Sequence, residues 1–215
     1  MGEITDLINL FWILFSLFIA AVVAILILGG FTLRCLYRFF FPAKRAARLD
    51  TPAITVRRGD ICNDADATRV LYLLSQYALD DMGGGRPLCD YTQTHLIEGL
   101  RGQPTLRIYL AFVDSPEETE AVGMALCFGA FSTFKCRPLL NIHDFVTQAQ
   151  WRGMGVGRAM LEAIERDCRD SGFCKVTLEV LCNNKGAMRL YSKSGFEPYV
   201  LTQEAGPAQF WQKVF

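Results

Sequence analysis

The chain of 215 residues lacks net charge and the common nucleotide-binding motifs, and each absence excludes a class of protein. Lys plus Arg and Asp plus Glu both number 22, so no basic field exists to hold a nucleic-acid backbone. Only 20% of the residues are charged and 51% are hydrophobic, which excludes a disordered or highly solvated chain. The composition therefore predicts a folded protein without a nucleic-acid partner.

The eight cysteines form no C-x-x-C pair, unlike those of a zinc ribbon or a disulfide framework. Because they mostly interrupt apolar runs, we interpret them as reduced, mostly buried thiols in a cytosolic compartment. We expect no metal in this protein. The cysteines are Cys35, Cys62, Cys89, Cys127, Cys136, Cys168, Cys174 and Cys182.

Residues 7–33 contain no charged side chain, and a helix needs only about 20 residues to cross the hydrocarbon core of a lipid bilayer. The acidic residues Glu3 and Asp6 precede this segment, which favours a retained anchor over a cleaved signal peptide. Arginines and lysines follow it from Arg34 to Arg48, so we expect a single-pass membrane protein. Its N-terminus would be outside or lumenal and its C-terminal domain cytosolic.

The chain is accordingly divided into three parts: an N-terminal segment with the anchor at 1–33, a basic juxtamembrane linker at 34–52 and a domain at 53–215. Hydrophobic periodicity in the domain predicts the order β-α-α-β-β-β-α-β-α-β-β, an α/β fold around a mixed sheet. The predicted strands cover 54–58, 106–113, 121–132, 138–147, 176–181, 198–201 and 209–214. The predicted helices begin at Asp64, Thr92, Val156 and Asn184, the last as an N-cap.

The glycine-rich run from Arg152 to Gly157 lies between a predicted strand and a predicted helix. Successive backbone N–H groups in such a turn converge on an anion, and the helix N-terminus adds positive potential. Gly155 and Gly157 lack the Cβ atoms that would keep a phosphate away, and Arg152 and Arg158 supply charged donors. The run predicts a diphosphate site, although neither G-x-G-x-x-G nor a P-loop is present.

The pattern R-x-x-G-x-G at Arg152, Gly155 and Gly157 resembles the acetyl-coenzyme A signature of the GNAT family of N-acetyltransferases. A second element, NKGAMRLYSKSGF at 184–196, resembles the family's N-x-x-A-x-x-L-Y-x-x-x-G-F. The resemblance covers 54–200 and implies the GNAT fold, a mixed central sheet with helices on both faces, here preceded by the transmembrane helix. Residues 127–153 are similar to small-amine acetyltransferases (diamine and thialysine), where an acidic pair replaces His143 and Asp144.

The resemblance implies direct attack of a primary amine on the thioester of acetyl-CoA in a ternary complex. The ammonium needs a general base, and His143 is the first candidate because imidazole titrates near neutrality. A histidine with a purely structural role in the strand is an equal alternative, and Glu179 is the rival base, acting through water. Tyr191 occupies the position of the family's general acid.

The resemblance also implies a coenzyme site in which a splayed strand offers its main chain to the pantetheine arm. The residues expected to bind acetyl-CoA are Phe145, Val146, Thr147, Arg152, Gly153, Met154, Gly155, Val156, Gly157, Arg158, Asn184 and Tyr191. Candidate residues for the acceptor amine are Asp144, Asp81 and Asp90, with Asp80 nearby, although solvated loop charges are the alternative interpretation.

The acceptor is left open between a small amine, a protein N-terminus or lysine, and a cysteine conjugate. A non-catalytic acetyl-CoA sensor and a membrane-helix interaction protein are further alternatives, and a homodimer is left open. The expected partners are acetyl-CoA, an amine and the lipid bilayer.

Overall fold

The computed structural model describes residues 53–113 and 120–214, which belong to one unit, Pro52–Phe215. The predicted anchor at 7–33 and the whole linker at 34–52 lie outside the described residues. Among the residues that are described, no helix is long and apolar enough to cross a membrane.

The described part of the chain contains five strands, four α-helices and one short 3-10 turn at Ala149–Trp151. The strands are β1 (Ile54–Gly59), β2 (Leu106–Val113), β3 (Ala121–Ser132), β4 (Arg137–Thr147) and β5 (Val176–Leu178). The helices are α1 (Asp64–Leu79), α2 (Asp90–Arg101), α3 (Val156–Asp170) and α4 (Lys185–Lys193).

The strands form one sheet in the order β1-β2-β3-β4-β5, antiparallel except for the parallel pair β4 and β5. The predicted mixed sheet is therefore confirmed. A β-bulge interrupts the pairing of β3 with β4: Leu126 pairs with Asp144 and Cys127 pairs with Ile142, so His143 is the extra residue. A bulge re-aims the side chains next to it, and this one lies at the candidate site.

Helices cover both faces of the sheet, because alternate residues of β2 enter different cores. Ile108 and Leu110 pack in the cluster that contains Leu73 of α1. Tyr109 packs in the opposite cluster with Leu161 of α3 and Tyr191 of α4. This period of two places α1 and α3 on opposite faces of the sheet.

Local signals account for the helix starts. The Asn63 side chain accepts a hydrogen bond from the N–H of Asp66 at 3.1 Å, which caps α1. Asn184 caps α4 in the same way, accepting from the N–H of Ala187 at 3.1 Å, as predicted. Helix α3 buries Val156, Met160, Ile164 and Cys168, the face that the periodicity predicts.

The prediction that two C-terminal strands close the sheet is wrong, since the described residues there form only the isolated bridge Val200–Pro207. Gly206 reverses the chain at φ +73°, and Pro207 has no N–H to donate to a longer ladder. Strand β5 likewise ends at Leu178, three residues before the predicted end at Leu181.

The prediction of mostly buried cysteines is also wrong. The seven described cysteines are free, as expected, but only Cys127 and Cys168 are buried. Cys62, Cys89 and Cys136 are exposed because they lie in turns and at a helix start rather than on packed faces. Burial raises the pKa of the Cys168 thiol to about 11.

Candidate active site

A gap opens between β4 and β5 halfway along β4. Their parallel pairing begins at Leu140–Val176 and ends at Ile142–Leu178, while β4 continues to Thr147, which pairs with Gly123 of β3. In the described residues, positions 143–147 therefore have a strand partner on one side only. This is the splayed geometry that the resemblance implies for Phe145, Val146 and Thr147.

The glycine-rich turn lies next to the gap and leads into α3. Gly153 and Gly155 have φ of +78° and +95°, a left-handed backbone that favours glycine. Gly155 is the N-cap of α3 and offers no side chain to the first-turn N–H groups. These donors and the helix dipole can bind an anion. The Val156 side chain is buried in the core, so only its main chain is available, whereas the Met154 side chain is 44% exposed.

Gly157 lies at a close contact between elements that the sequence prediction does not include. A Cβ atom at 157 would lie 2.8 Å from Cδ2 of Leu190 and 3.4 Å from Cε1 of Phe145. The glycine therefore permits close packing of α3 against α4 and β4, and its role in admitting a phosphate stays a prediction. At Gly155 an added Cβ would meet only Ile54 at an ordinary 3.7 Å, so there the positive φ is the constraint.

The two arginines of the turn both have partners within the protein. Arg152 donates from Nη2 to Asp80 at 2.8 Å and from Nε to the carbonyl oxygen of Thr147 at 3.1 Å. Arg158 donates from Nε to Glu162 at 2.8 Å, one turn along α3. The sequence predicts that Arg152 and Arg158 donate hydrogen bonds to a diphosphate, but it does not predict these contacts within the protein.

The β-bulge directs His143 and Asp144 to the face covered by α1 and α2. The exposed His143 ring lies edge-on to Phe128, with centroids 5.6 Å apart. Asp144 is half-buried, and burial raises its pKa, an effect that the neighbouring His143 partly offsets. Within the described residues the Asp144 carboxylate makes no hydrogen bond or ion pair, and the adjacent His143 is the one group whose charge offsets the effect of its burial.

Tyr191 of α4 lies behind the gap, between Phe145 and Phe196, with each pair of ring centroids 5.9 Å apart. The residue is 8% exposed. Burial, followed by proximity to Tyr77, raises its pKa to about 12. Its hydroxyl has no hydrogen-bond partner in the described part of the chain. Because no fully buried polar side-chain atom there lacks a partner, this oxygen reaches the surface.

Sequence reasoning missed two residues near the site. Tyr77 of α1 is predicted only as part of an apolar helix face. In the structure its pKa is raised by burial and then by the charges of Asp144 and Asp80. Asn141 donates from Nδ2 to both carboxylate oxygens of Glu179, at 3.1 and 3.3 Å, which fixes the rival base at the end of β5. The i, i+2 spacing of Asn141 and His143 along β4 is the only signal for Asn141.

The remaining predicted residues lie at the margin. Asp81 and Asp90 are exposed, and neither carboxylate pairs with another residue within the described ranges. The Asn184 oxygen is engaged in capping α4. The structure thus places Phe145, Tyr191, His143 and Asp144 around one gap and leaves Asp81 and Asp90 in solvent.

Comparison with known proteins agrees with this geometry. The family described as the acetyltransferase (GNAT) family matches residues 71–196. This chain belongs to that family of acetyltransferases.

Curated relatives are N-acetyltransferases. The chain is 31% identical over 91 residues to thialysine N-epsilon-acetyltransferase of Bos taurus, covering 42% of this chain and 52% of that protein. It is 25% identical over 132 residues to N-acetyltransferase 8F1 of Rattus norvegicus, covering 60% and 58%. The chain spans just over half the length of these two relatives. The small-amine subgroup therefore stays a prediction.

Solved structures share the fold. A probable acetyltransferase superposes with a TM-score of 0.60 at 17% identity, covering 75% of this chain and 99% of that one. An aminoglycoside acetyltransferase from an uncultured soil metagenomic sample, in complex with sisomicin, gives 0.58 at 16% identity, covering 75% and 97%. At these identities the likeness concerns the fold alone.

Proposed function

We propose that this protein is a membrane-anchored N-acetyltransferase that transfers the acetyl group of acetyl-CoA to a small primary amine. The observation that carries the proposal is the unpartnered, half-buried carboxylate of Asp144 beside the gap in the sheet. A carboxylate held out of water without a cation is costly, and an ammonium group offsets that cost. The name of the cattle relative, which specifies the ε-amine of thialysine, supports an acceptor of this class.

The shape of the gap suits acetyl-CoA as the second substrate. The free edge of β4 at 143–147 offers main-chain groups to an extended, amide-containing arm such as pantetheine. The first turn of α3, without a capping side chain, offers N–H groups to a diphosphate. The two features adjoin, which matches a ligand that carries both groups.

The acceptor must lose a proton before it can attack. An alkyl ammonium has a pKa of about 10, so a base poised near neutrality is needed. In this proposal Asp144 holds the ammonium, and His143, its neighbour in the bulge, accepts the proton. Glu179, held by Asn141 at 3.1 Å, is the alternative base acting through water.

The leaving group must gain a proton. A thiolate has a pKa of about 8.5, and the burial that raises the pKa of Tyr191 to about 12 keeps its phenol protonated at neutral pH. The amine nitrogen bonds to the acetyl carbon, the C–S bond breaks, and the Tyr191 hydroxyl donates its proton to the sulfur. The second proton that the nitrogen loses as it becomes an amide nitrogen returns through water to the Tyr191 phenolate. The products are an N-acetyl amine and free CoA.

The test is release of CoA thiol by the purified full-length chain with acetyl-CoA and a panel of diamines, polyamines, amino acids, aminoglycosides and peptides. We expect turnover with one class of small amine. Tyr191→Phe should reduce kcat by about 100-fold or more, the usual range for a general acid. Tyr72→Phe, at an exposed tyrosine of α1, is the matched control and should retain activity. Binding of acetyl-CoA without turnover of any amine would favour the sensor instead.

We also propose that residues 7–33 anchor the protein with the acetyltransferase domain in the cytosol. The support is the uncharged segment and the basic residues that follow it. The protein should stay in the membrane pellet at alkaline pH, and protease added to the cytosolic face should digest the domain. Release by alkali, or protection of the domain, would contradict the anchor or its orientation.

A further inference from the structure

The ion pair between Asp80 and Arg152 joins two parts of the site that are far apart in sequence. Asp80 is the C-cap of α1, where the acceptor-side loop at 80–89 begins. Arg152 opens the coenzyme signature. The distance from Nη2 of Arg152 to Oδ2 of Asp80 is 2.8 Å. The partners lie 72 positions apart, so neither periodicity nor motif spacing predicts this contact.

Asp80 organises its own loop. Its Oδ1 accepts a hydrogen bond from the N–H of Met82 at 2.9 Å. Its carbonyl oxygen accepts from the N–H groups of Gly83 at 2.8 Å and Gly85 at 3.0 Å. A Cβ at Gly83 would lie 1.8 Å from the carbonyl oxygen of Tyr77, so the loop closes tightly onto the end of α1.

Arg152 is fixed at its other side. Its Nε donates to the carbonyl oxygen of Thr147 at 3.1 Å, the last residue of β4. The guanidinium therefore spans the free edge of β4 and the loop carboxylate, a geometry that a planar fork of donors permits. An exposed ion pair is ordinarily worth little. Here the Asp80 side chain is only 23% exposed, and both groups are held by second partners.

The charge of Asp80 also affects a residue on the acceptor side, Tyr77. The Met82 N–H and Arg152 lower the pKa of Asp80, so its carboxylate is charged at neutral pH. That charge and the charge of Asp144 both raise the pKa of Tyr77. A shift of the Asp80 loop would therefore change the surroundings of Tyr77, next to the group that we assign to the ammonium.

We propose that the Asp80–Arg152 pair is a tie that positions the acceptor-side loop on the coenzyme turn, so that binding of CoA and binding of the amine are coupled. The proposal rests on the proposed function. Asp80 and Arg152 are positioning residues: they act through the loop and the turn rather than on the reacting atoms. Coupling is reciprocal, so an intact tie raises the affinity for each substrate when the other is bound.

Hydrogen exchange with CoA as the probe tests the tie without any amine. In the full-length chain, CoA should slow exchange of the amides at 153–158 and also at Met82, Gly83 and Gly85. In Asp80→Asn, which leaves Arg152 in place, CoA should protect the turn and no longer the loop. Glu165→Gln, which removes the surface pair with Arg169 on α3, is the matched control and should behave as the unmodified protein.

The outcomes separate the two proposals. Protection of the turn without protection of the loop in the unmodified protein would overturn the tie and leave the coenzyme site intact. If CoA protects neither the turn nor the loop, both the tie and the proposed coenzyme site are wrong. Loop protection that survives in Asp80→Asn would show that the pair carries no coupling.

Kinetics provide the second readout. With the best amine of the panel, Asp80→Asn should raise the amine KM about fivefold to tenfold, the low end of common coupling factors, and leave kcat within about twofold. The Asp80→Asn/Arg152→Gln double variant should raise it no further than Arg152→Gln alone, because one interaction is lost in each case. Additive effects, or an equal fall in kcat, would contradict a positioning role.

Discussion

Two carboxylates of the domain are partly or fully shielded from water, and their pKa values shift in opposite directions. Asp66, on α1, has a side chain 4% exposed and accepts two hydrogen bonds of 2.7 Å from Arg57 and one of 3.1 Å from Arg69. The Arg57 hydrogen bonds lower its pKa to about 2, despite burial. Asp144, in the bulge of β4, has no such partner in the described residues, and burial raises its pKa.

This difference indicates that Asp66 has a structural role and Asp144 a role in binding. Where the fold supplies cations, as around Asp66, the carboxylate joins β1 to α1. Where it supplies none beyond the adjacent His143, we propose that a cation from outside completes the site. Asp144 is thus interpreted as half of an ion pair whose other half is the substrate.

The largest expected effect is at Asp144. Asp144→Asn should reduce kcat/KM for a cationic amine by about 100-fold, the loss expected for one partner of a desolvated charge pair. Its stability should be unchanged or higher, because a raised pKa means that the charged form is disfavoured in the folded state at neutral pH. Steady-state kinetics and thermal unfolding of the same preparation measure both. A marked fall in Tm with unchanged kinetics would reverse the assignment.

The opposite pattern is expected at Asp66. Asp66→Asn should lower the free energy of unfolding by about 2 kcal/mol, since it weakens charge-assisted hydrogen bonds to two arginines. The kinetic constants of the folded fraction should stay the same. Denaturant unfolding measures the loss, with Asp170→Asn, at an exposed position on α3, as the control. Loss of activity without loss of stability would mean that the two carboxylates are not distinct in role.

The smallest effect concerns pH. Because the folded pKa of Asp66 is about 2 against an ordinary 3.8, its stabilisation is present above pH 4 and is lost as the pH falls toward 2. The slope that one such group adds is at most about 1.4 kcal/mol per pH unit. Acid unfolding of Asp66→Asn should lack this contribution. An identical acid limb in both proteins would show that Asp66 is not the group that responds.

Much of the fold is predictable because it depends on local patterns. The bounds of β2 and β3 equal the predicted 106–113 and 121–132, since each is a mostly apolar run of the sequence next to polar residues. The buried face of α3 follows from its period. The prediction of two C-terminal strands is wrong because alternating apolar residues do not by themselves ensure a strand partner. Pro207, which has no N–H group, limits the pairing there to a single bridge.

The site is less predictable because it depends on contacts across the chain. The motifs single out Phe145 and Tyr191, whose rings then lie 5.9 Å apart. The bulge that turns both His143 and Asp144 to one face breaks the alternation from which faces are predicted. The pairing of Arg152 with Asp80 and the position of Tyr77 beside Asp144 are set by tertiary packing, which no local pattern encodes.

In our proposal, Asp144 binds the ammonium group of the acceptor. The most direct test compares inhibition of turnover by two ligands in the full-length chain and in Asp144→Asn. One ligand is the N,N-dimethyl analogue of an active amine, a cation that cannot form a stable amide, and the other is the neutral hydroxyl isostere of that amine. We expect the cation to inhibit the unmodified protein at least about tenfold more strongly than the neutral ligand, and we expect Asp144→Asn to lose this preference. An equal preference for the cation in both proteins would contradict it.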